Sequence, residues 1–368
     1  MKFIIEQKKI LKILKKNNSI IVKNYNNPIL ENIFIKLNKK KLILISNNVE
    51  TELITKTYVD HQFSSGETTI SGKKLFNICK SFSEHSKILF SLKKKIMKIN
   101  IETVVFKLST LPSSEYPKFN SLKKYKKFTI SQKYFKKIIQ KSYFCIAKND
   151  ARHYLNGLYF IFNKKFIRAV STDGYRMAIS TILLKNVNFK NNSIIITKTG
   201  ILEMLKLLKE NDEKIYILIN NYNLRIYTKK IIFTTKLIEG NFPNYKNLII
   251  KKPEIILEIN LKIFKKALNR ISILSDSSFY GIQFHVKKNV MKIISKNEEN
   301  ESAKEKILIK QKHPKNIKFN LNSKYLLNIL QNINSEKIHF LLNKKISIIQ
   351  IKEKNNNLNI YIIMPLIF

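Results

Sequence analysis

The sequence has few of the residues that catalytic, metal and disulfide sites require. Its 368 residues include no tryptophan, two cysteines, seven glycines, seven prolines and 25 acidic residues. The cysteines, Cys79 and Cys145, lie in apolar helical patterns without C-x-x-C spacing, which predicts small core residues in a reducing compartment. The isolated glycines form no glycine-rich phosphate loop.

The sequence also contains no recognisable catalytic constellation. The carboxylates show neither the paired nor the D-x-D spacing that two-metal nucleases and polymerases require. The six histidines are scattered, without H-x-x-x-H or Cys/His ligand spacing. We therefore expect a binding protein rather than an enzyme, with no metal and no cofactor.

Long hydrophobic runs are absent as well. The longest, from Ile360 to Phe368, is far shorter than the roughly 20 residues that a membrane-spanning helix needs. The N-terminus enters the first predicted strand directly, without a signal-peptide pattern. These observations predict a cytoplasmic protein with no membrane partner.

Positive charge dominates the composition. The net charge is +44, and only five of the 69 basic residues are arginine. Asn, Ile, Phe and Tyr are abundant while Gly and Pro are few, which is the composition that A/T-rich coding produces. Much of the lysine excess is therefore expected to be solvated surface, and the remainder indicates a nucleic-acid partner.

One pattern occurs three times along the chain. The segments 3–14, 128–139 and 257–268 each have a short alternating strand followed by an amphipathic helix that carries lysines. A second helix is expected in each third, each opening on a residue type that caps helix N-termini: Ser71, Thr197 and Asn322. Repeats of this length indicate three copies of a whole domain.

The repeats predict an α+β fold. Each third has two helices against roughly eight short strands, so the helices are expected on one face of the sheets. Strands are expected at 42–46, 88–92, 158–161, 194–196, 231–235 and 346–351. The predicted domains are 1–125, 126–253 and 254–368, with polar, lysine-rich linkers at 118–127 and 249–253.

The lysines of the first helices occupy equivalent positions in the three repeats, at Lys12, Lys137 and Lys266. In the second repeat the apolar stripe predicts burial of one helix face, and Lys133, Lys136, Lys137 and Lys141 lie mostly off it. If the domains curve around one axis, these lysine faces converge on a surface that neutralises phosphates without reading bases.

Two motifs in the second third carry a family resemblance. Leu-Asn-Gly-Leu at 155–158 and Ser-Thr-Asp-Gly-Tyr-Arg-Met-Ala at 171–178 resemble the bacterial DNA polymerase III β subunit family of sliding clamps. Further matching segments are the Met-Lys-Phe start, 27–30, 109–112, 240–245 and the Met364-Pro365 close. The resemblance thus runs from end to end.

The resemblance implies a replication processivity factor. Three DNA-clamp domains per chain and two chains head-to-tail would form a ring, with the helices inside around duplex DNA and the sheets outside. The implied partners are a second copy, double-stranded DNA, the polymerase III catalytic subunit, the clamp-loader complex, and other DNA polymerases and repair proteins where present. The implied location is the bacterial cytoplasm at the nucleoid.

The resemblance also assigns a pocket for partner peptides. Its apolar members fit a site for a short hydrophobic motif. The residues are Leu155, Thr172, Gly174, Tyr175, Arg176, Met177, Pro243, Asn247, Leu248, Ile348, Ile362, Ile363, Met364, Pro365 and Leu366. Family members commonly have His at position 175, Leu at 177 and a basic residue at 247, so partner peptides are expected to differ here too.

The resemblance also implies which residues contact DNA and which form the seam between the two chains of the ring. The residues expected to face DNA are Lys12, Asn24, Lys73, Lys137, Asn149, His153, Tyr154, Lys198 and Lys266, with the arginine often found at position 24 lost. The seam residues are Lys74, Phe106, Leu108, Ile273 and Leu274. Thr103 and Val105 stand where family members have arginines, and Lys304 stands where an acid is usual. Apolar packing and edge-strand hydrogen bonds are therefore expected to contribute more of the stability of the seam.

Two other interpretations stay open at this point. One is a basic protein that coats RNA or DNA through its lysines as a monomer. The other is a degenerate clamp whose ring closure is weakened by the lost seam charges.

Overall fold

The computed structural model describes residues 1–23, 26–59, 63–120, 124–184, 191–275, 280–311 and 316–367. These residues contain six α-helices and 25 strands. They group into two compact units: unit 1 comprises Met1–Lys136 and Thr199–Leu237, and unit 2 comprises Lys137–Lys198 and the residues from Ile238 onward.

The first third has helices α1 (Gln7–Ile20) and α2 (Gly72–Lys80). Its strands are β1 (Lys2–Glu6), β2 (Asn32–Asn38), β3 (Lys41–Asn47), β4 (Thr51–Tyr58), β5 (Gly66–Ser71), β6 (Lys87–Lys93), β7 (Ile96–Ile101) and β8 (Val104–Leu111). The second third has helices α3 (Gln132–Gln140) and α4 (Lys198–Leu207). Its strands are β9 (Lys126–Ser131), β10 (Gly157–Phe162), β11 (Phe166–Thr172), β12 (Arg176–Leu183), β13 (Asn192–Thr197), β14 (Lys214–Ile219), β15 (Asn223–Tyr227) and β16 (Ile231–Ile238).

The last third has helices α5 (Leu261–Ile271) and α6 (Ser323–Gln331). Its strands are β17 (Ile255–Asn260), β18 (Gly281–Lys287), β19 (Val290–Lys296), β20 (Ser302–Leu308), β21 (Lys310–Gln311), β22 (Ile317–Asn322), β23 (Lys337–Leu342), β24 (Ile349–Glu353) and β25 (Asn356–Ile363). The helix pair predicted for each third is therefore confirmed, and so is the α+β character. The exact bounds of the three predicted domains stay a prediction.

Unit 1 is built on one antiparallel series of strands, in the order β1-β6-β7-β8-β5-β2-β3-β4-β16-β15-β14-β9. Its core forms because the inward residues of these strands meet the apolar stripes of α1 and α2, as Phe3, Leu14 and Leu75 illustrate, all fully buried. The β4–β16 pair joins a strand of the first third to one of the second.

Unit 2 is also antiparallel, but its strands form two separate series. One antiparallel series runs β13-β10-β11-β12-β25-β24-β23-β17-β21, and a second sheet runs β20-β19-β18-β22. Helices α5 and α6 cover a core that includes Phe264, Leu326 and Phe340. The β12–β25 pair joins a strand of the second third to one of the last, and it positions the candidate site described below.

Three expectations about individual segments were wrong. Ser71 precedes α2 without a side-chain capping hydrogen bond, whereas Asn322 does accept one from the Tyr325 N–H. Strand β24 begins at Ile349 rather than at residue 346, because Ile346 has a φ of 44° that is incompatible with a strand. Lys141 is buried rather than exposed.

The expected cysteine burial is confirmed, because Cys79 and Cys145 are both fully buried. Among the residues that the structure describes, no helix combines the length and apolar character required to cross a membrane.

Candidate functional site

The predicted peptide pocket is built on the pairing of β12 with β25. Met177 lies opposite Ile362, and Arg176 lies opposite Ile363. The register continues one residue into the tail, where the Met364 N–H donates to the Tyr175 carbonyl oxygen at 2.9 Å. Residues that are almost 200 positions apart in sequence thus lie side by side on neighbouring strands.

A tight turn ahead of β12 fixes the backbone at the start of this strand. The Thr172 hydroxyl donates to the Arg176 carbonyl oxygen at 2.7 Å and accepts from the Gly174 N–H at 3.1 Å. Gly174 has a φ of +92°, a backbone conformation that residues with a side chain rarely adopt. A Cβ atom at this position would lie 3.3 Å from Arg152 Nη2. The turn leaves the Tyr175 side chain 64% exposed.

Arg176 is held inside the protein rather than presented to solvent. Its Nε donates to Asp173 Oδ2 at 2.9 Å and its Nη2 donates to the Phe144 carbonyl oxygen at 3.0 Å. The guanidinium lies 4.2 Å from the centre of the Tyr325 ring. This cage positions the first residue of β12, and sequence analysis missed Phe144 and Tyr325 because only the fold brings them to Arg176.

Beneath the strand pair lies an apolar floor. Met177 and Ile362 pack in one cluster with buried Tyr245, and Ile348 and Ile249 pack against that cluster. Other predicted pocket residues are also buried, namely Leu155, Thr172 and Ile363. Pocket residues that are exposed form a rim: Gly174, Tyr175, Pro243, Asn247, Leu248 and Met364. A buried apolar floor with an accessible apolar rim suits the docking of a short hydrophobic segment.

The C-terminal tail leaves the sheet at a proline. Strand β25 ends at Ile363, as expected for a strand that precedes Pro365 by two residues. The Leu366 N–H donates to the Asn320 carbonyl oxygen at 2.9 Å, while Ile367 is 99% exposed. Phe368 lies outside the described residues.

Most residues predicted to face DNA are accessible. The exposed members are Lys12, Lys73, Lys137, Asn149, His153 and Lys266, and Tyr154 is half-buried. Asn149 adopts a left-handed backbone with a φ of 52°, a conformation that asparagine tolerates better than most residues. Asn24 lies outside the described residues.

Lys198 has a different environment. It is half-buried, and its ammonium donates to the carbonyl oxygens of Ile146 at 3.5 Å and Ala147 at 3.2 Å. Burial, with the nearby Lys148 and Arg176 charges, lowers the pKa of Lys198. Its ammonium is already engaged in holding the chain after α3.

The predicted seam residues lie on strand β8, on helix α2 and in the short helix after α5. On β8, Phe106 and Leu108 are half-buried, and Phe106 packs edge-on against Phe82 with ring centres 6.2 Å apart. In unit 2, Ile273 is 77% exposed and Leu274 is half-buried in the short helix after α5. Lys74 is exposed on α2.

Neighbouring side chains give these regions an apolar and cationic character. Val105 on β8 and Leu308 on β20 are 48% and 80% exposed. Strand β20 forms the edge of its sheet, and its Glu305 is bound by Arg270 of the same chain. Such edges offer unpaired backbone groups to another strand.

Within the described part of the chain, no group of three or more His, Cys, Asp or Glu side chains is arranged to hold a metal ion. The absence of a cofactor stays a prediction.

Comparison with known proteins places the whole chain in one family. Models of the DNA polymerase III beta subunit match residues 1–120 (N-terminal domain), 129–244 (central domain) and 246–367 (C-terminal domain). The beta sliding clamp of Buchnera aphidicola subsp. Rhopalosiphum padi is 39% identical, and that of Escherichia coli K12 is 29% identical, with 100% of each chain covered. A crystal structure of the DNA polymerase III subunit beta from Pseudomonas aeruginosa is similar with a TM-score of 0.96 and 27% identity over 100% of both chains. The chain therefore belongs to the DNA polymerase III beta subunit family, the beta sliding clamps, and is an accessory rather than a catalytic subunit of the polymerase.

Proposed function

We propose that two copies of this chain close head-to-tail into a ring that encircles duplex DNA and tethers the replicative polymerase for processive synthesis. The observation that carries this proposal is the end-to-end likeness to a solved DNA polymerase III beta subunit, with a TM-score of 0.96. A monomeric coating protein would not need three clamp domains in series, so the composition-based alternative is not favoured.

Contact with DNA is assigned to the lysine faces of the helices. Lys12, Lys137 and Lys266 are exposed at equivalent positions of α1, α3 and α5, which supports this assignment. A lysine ammonium is a flexible point charge that suits phosphate contact rather than bidentate reading of base edges. The ring is therefore proposed to bind duplexes of any sequence.

Partner binding is assigned to the pocket between β12, β25 and the segment around Leu248. Its buried floor and accessible apolar rim support binding of a short hydrophobic peptide. The proposed partners are the polymerase III catalytic subunit and the clamp loader, with other polymerases and repair proteins where the organism has them.

Ring closure is assigned to the outer edges of β8 and β20 together with Ile273 and Leu274. The exposure of Ile273 and the availability of the edge strands support this assignment. Three domains with bounds at 1–125, 126–253 and 254–368 are proposed for each chain, which would act in the bacterial cytoplasm at the nucleoid.

The test is retention on circular DNA. The purified protein should run as a dimer near twice its 43.4 kDa chain mass at low and moderate salt. Loaded onto nicked circular DNA by the cognate clamp loader, it should stay bound through gel filtration and be released when the circle is cut once. A protein that stays equally on linear DNA, or that runs as a monomer at micromolar concentration, would overturn the proposal.

A further inference from the structure

A groove of about 620 Å³ lies in unit 2 beside the predicted peptide pocket. It is lined by Tyr159 of β10, Phe166 of β11, and Phe242 and Tyr245 of the segment after β16, and we call it the aromatic groove. Neither the assigned DNA contacts nor the assigned seam uses these aromatic side chains.

Its walls are fixed by ring packing. Tyr159 and Phe242 stack with ring centres 4.7 Å apart and planes 5° apart. Tyr245 packs edge-on to Phe242 and is 4% exposed, and its hydroxyl has no hydrogen-bond partner among the described residues. A buried hydroxyl without a partner costs free energy, so a ligand that offered it a hydrogen bond would be favoured.

The rim of the groove is polar and positive. Asn163, Asn192 and Asn244 line it. The amide oxygens of Asn163 and Asn244 already accept the N–H groups of Lys165 and Lys246, so these two residues offer their NH₂ groups to the C=O groups of an extended peptide. Lys246 also lines it, and the Arg168 guanidinium lies 5.0 Å from the Phe166 ring centre. These cations favour a ligand with acidic residues.

The groove is continuous with the predicted pocket. Tyr159, Phe242 and Tyr245 pack in the same apolar cluster as Met177 and Ile362, which form the pocket floor. Pro243 is a predicted pocket residue and also lines the groove. A peptide that leaves the pocket at this end would therefore run directly onto the groove.

We infer that the aromatic groove is a second subsite for partner peptides. It would hold one aromatic or large aliphatic side chain from the acidic segment that flanks the hydrophobic motif in the pocket. The inference rests on the proposed function of the pocket and names a further part of the partner that this protein recognises.

The experiment compares two fluorescent peptides from the cognate polymerase catalytic subunit. One is the minimal apolar segment that binds, and the other extends it by about six residues at each end, long enough to span roughly 20 Å. The extended peptide should bind the wild-type dimer about tenfold more tightly, as expected for one further buried anchor. Fluorescence anisotropy measures both affinities.

A variant that blocks the groove then tests whether the gain in affinity of the extended peptide arises there. Ser193 is exposed and lines the groove but is not a predicted pocket residue, so Ser193→Trp should fill it. In this variant the affinity of the extended peptide should fall to that of the minimal peptide. The affinity of the minimal peptide should be unchanged. Ser114→Trp places the same side chain at an exposed site in unit 1 and should change neither affinity.

The outcomes separate the two proposals. Equal affinity of the two peptides for the wild-type protein, or a gain that survives Ser193→Trp, would overturn the inference while leaving the pocket intact. Loss of binding of both peptides to the Ser193→Trp variant would also overturn the inference, because the groove would then not be a separate subsite. Failure of both peptides to bind the wild-type protein would overturn the pocket itself.

Discussion

At the scale of single residues, Glu258 shows how charge is organised in this lysine-rich chain. Its carboxylate lies 2.7 Å from Lys354 Nζ, 3.3 Å from His339 Nε2 and 3.6 Å from Lys337 Nζ. The hydrogen bond from Lys354 contributes most, and with the His339 hydrogen bond and the neighbouring charges it lowers the pKa of Glu258 from 4.5 to about 2. Here one acid lies close to a lysine of β23 and to a lysine of the turn after β24.

The lowered pKa predicts an acid-sensitive contribution to stability. Because the folded pKa is depressed, the contribution is present above pH 4.5 and is lost as the pH falls towards 2. Glu258→Gln should cost about 0.5–1 kcal/mol at pH 6 in low salt and almost nothing at pH 2. Urea unfolding at both pH values checks this, and Glu299→Gln, at an exposed position, is the control. An equal cost at pH 2 would contradict it.

At the scale of elements, Lys141 links the end of α3 to the end of α6. Its ammonium donates to the carbonyl oxygen of Asn332, the C-cap residue of α6, and lies 3.9 Å from the Glu353 carboxylate. A cation at a helix C-terminus is favourable, and burial lowers the pKa of this lysine.

Lys141→Met should therefore destabilise the protein while keeping the length of the side chain. The loss is expected to be about 1–3 kcal/mol, because the half-buried carbonyl oxygen of Asn332 loses its donor and the Glu353 carboxylate loses a neighbouring cation. Lys137→Met removes an exposed lysine of the same helix and should change the stability by less than about 0.5 kcal/mol. Urea midpoints measure both, and similar losses in the two variants would show that Lys141 has no special role.

The two lysines also show how far the sequence could predict the structure. The helical period correctly predicted α3 and its buried face, but it could not predict that Lys141 would contact the end of a helix at a residue 191 positions later. The motif at 171–178 predicted a site, yet the cage around Arg176 depends on Phe144 and Tyr325. Periodicity reports the local face of an element, whereas these contacts depend on tertiary packing.

The C-terminal tail supports a prediction about partner binding. Deletion of residues 364–368 should remove one wall of the pocket and abolish binding of a polymerase peptide, normally expected at micromolar affinity, or about −8 kcal/mol. The fold and the dimer should persist because β25 ends at Ile363. Peptide titration and gel filtration measure these properties. Ile367→Ser, at a 99% exposed position, is the matched control, and unchanged affinity in the truncated protein would place the partner site elsewhere.

At the scale of the whole molecule, the seam should depend on apolar side chains. Ile273→Ala with Leu274→Ala should give folded monomers, since each ring has two seams and each truncation of a buried aliphatic costs about 2–5 kcal/mol. The monomer fold should survive because Ile273 is 77% exposed. Sedimentation at micromolar concentration tests this, with Leu183→Ala, an exposed leucine away from the seam, as control. A double variant that stays dimeric would refute the seam assignment.

Raising the salt concentration should weaken DNA binding without weakening ring closure. If the ring contacts six to ten phosphates, its electrostatic affinity for linear duplexes should fall by about 10³–10⁵ between 50 and 200 mM salt, equally for unrelated sequences. The dimer should persist or tighten, because Lys107 on β8 and Lys304 and Lys306 on β20 have the same sign. Anisotropy and sedimentation measure the two responses. A dimer that dissociates as salt rises, or strong preference for one duplex sequence, would contradict this prediction.

The burial of Cys79 and Cys145 has a practical consequence for single-molecule work. Burial raises the pKa of Cys79 to about 12 and also raises the pKa of Cys145, so at neutral pH fewer than about one Cys79 thiol in ten thousand is a reactive thiolate. Maleimide reagents should therefore leave the native chain unlabelled. A single cysteine introduced on the surface could then carry a fluorophore to follow the clamp along DNA without removal of either native thiol.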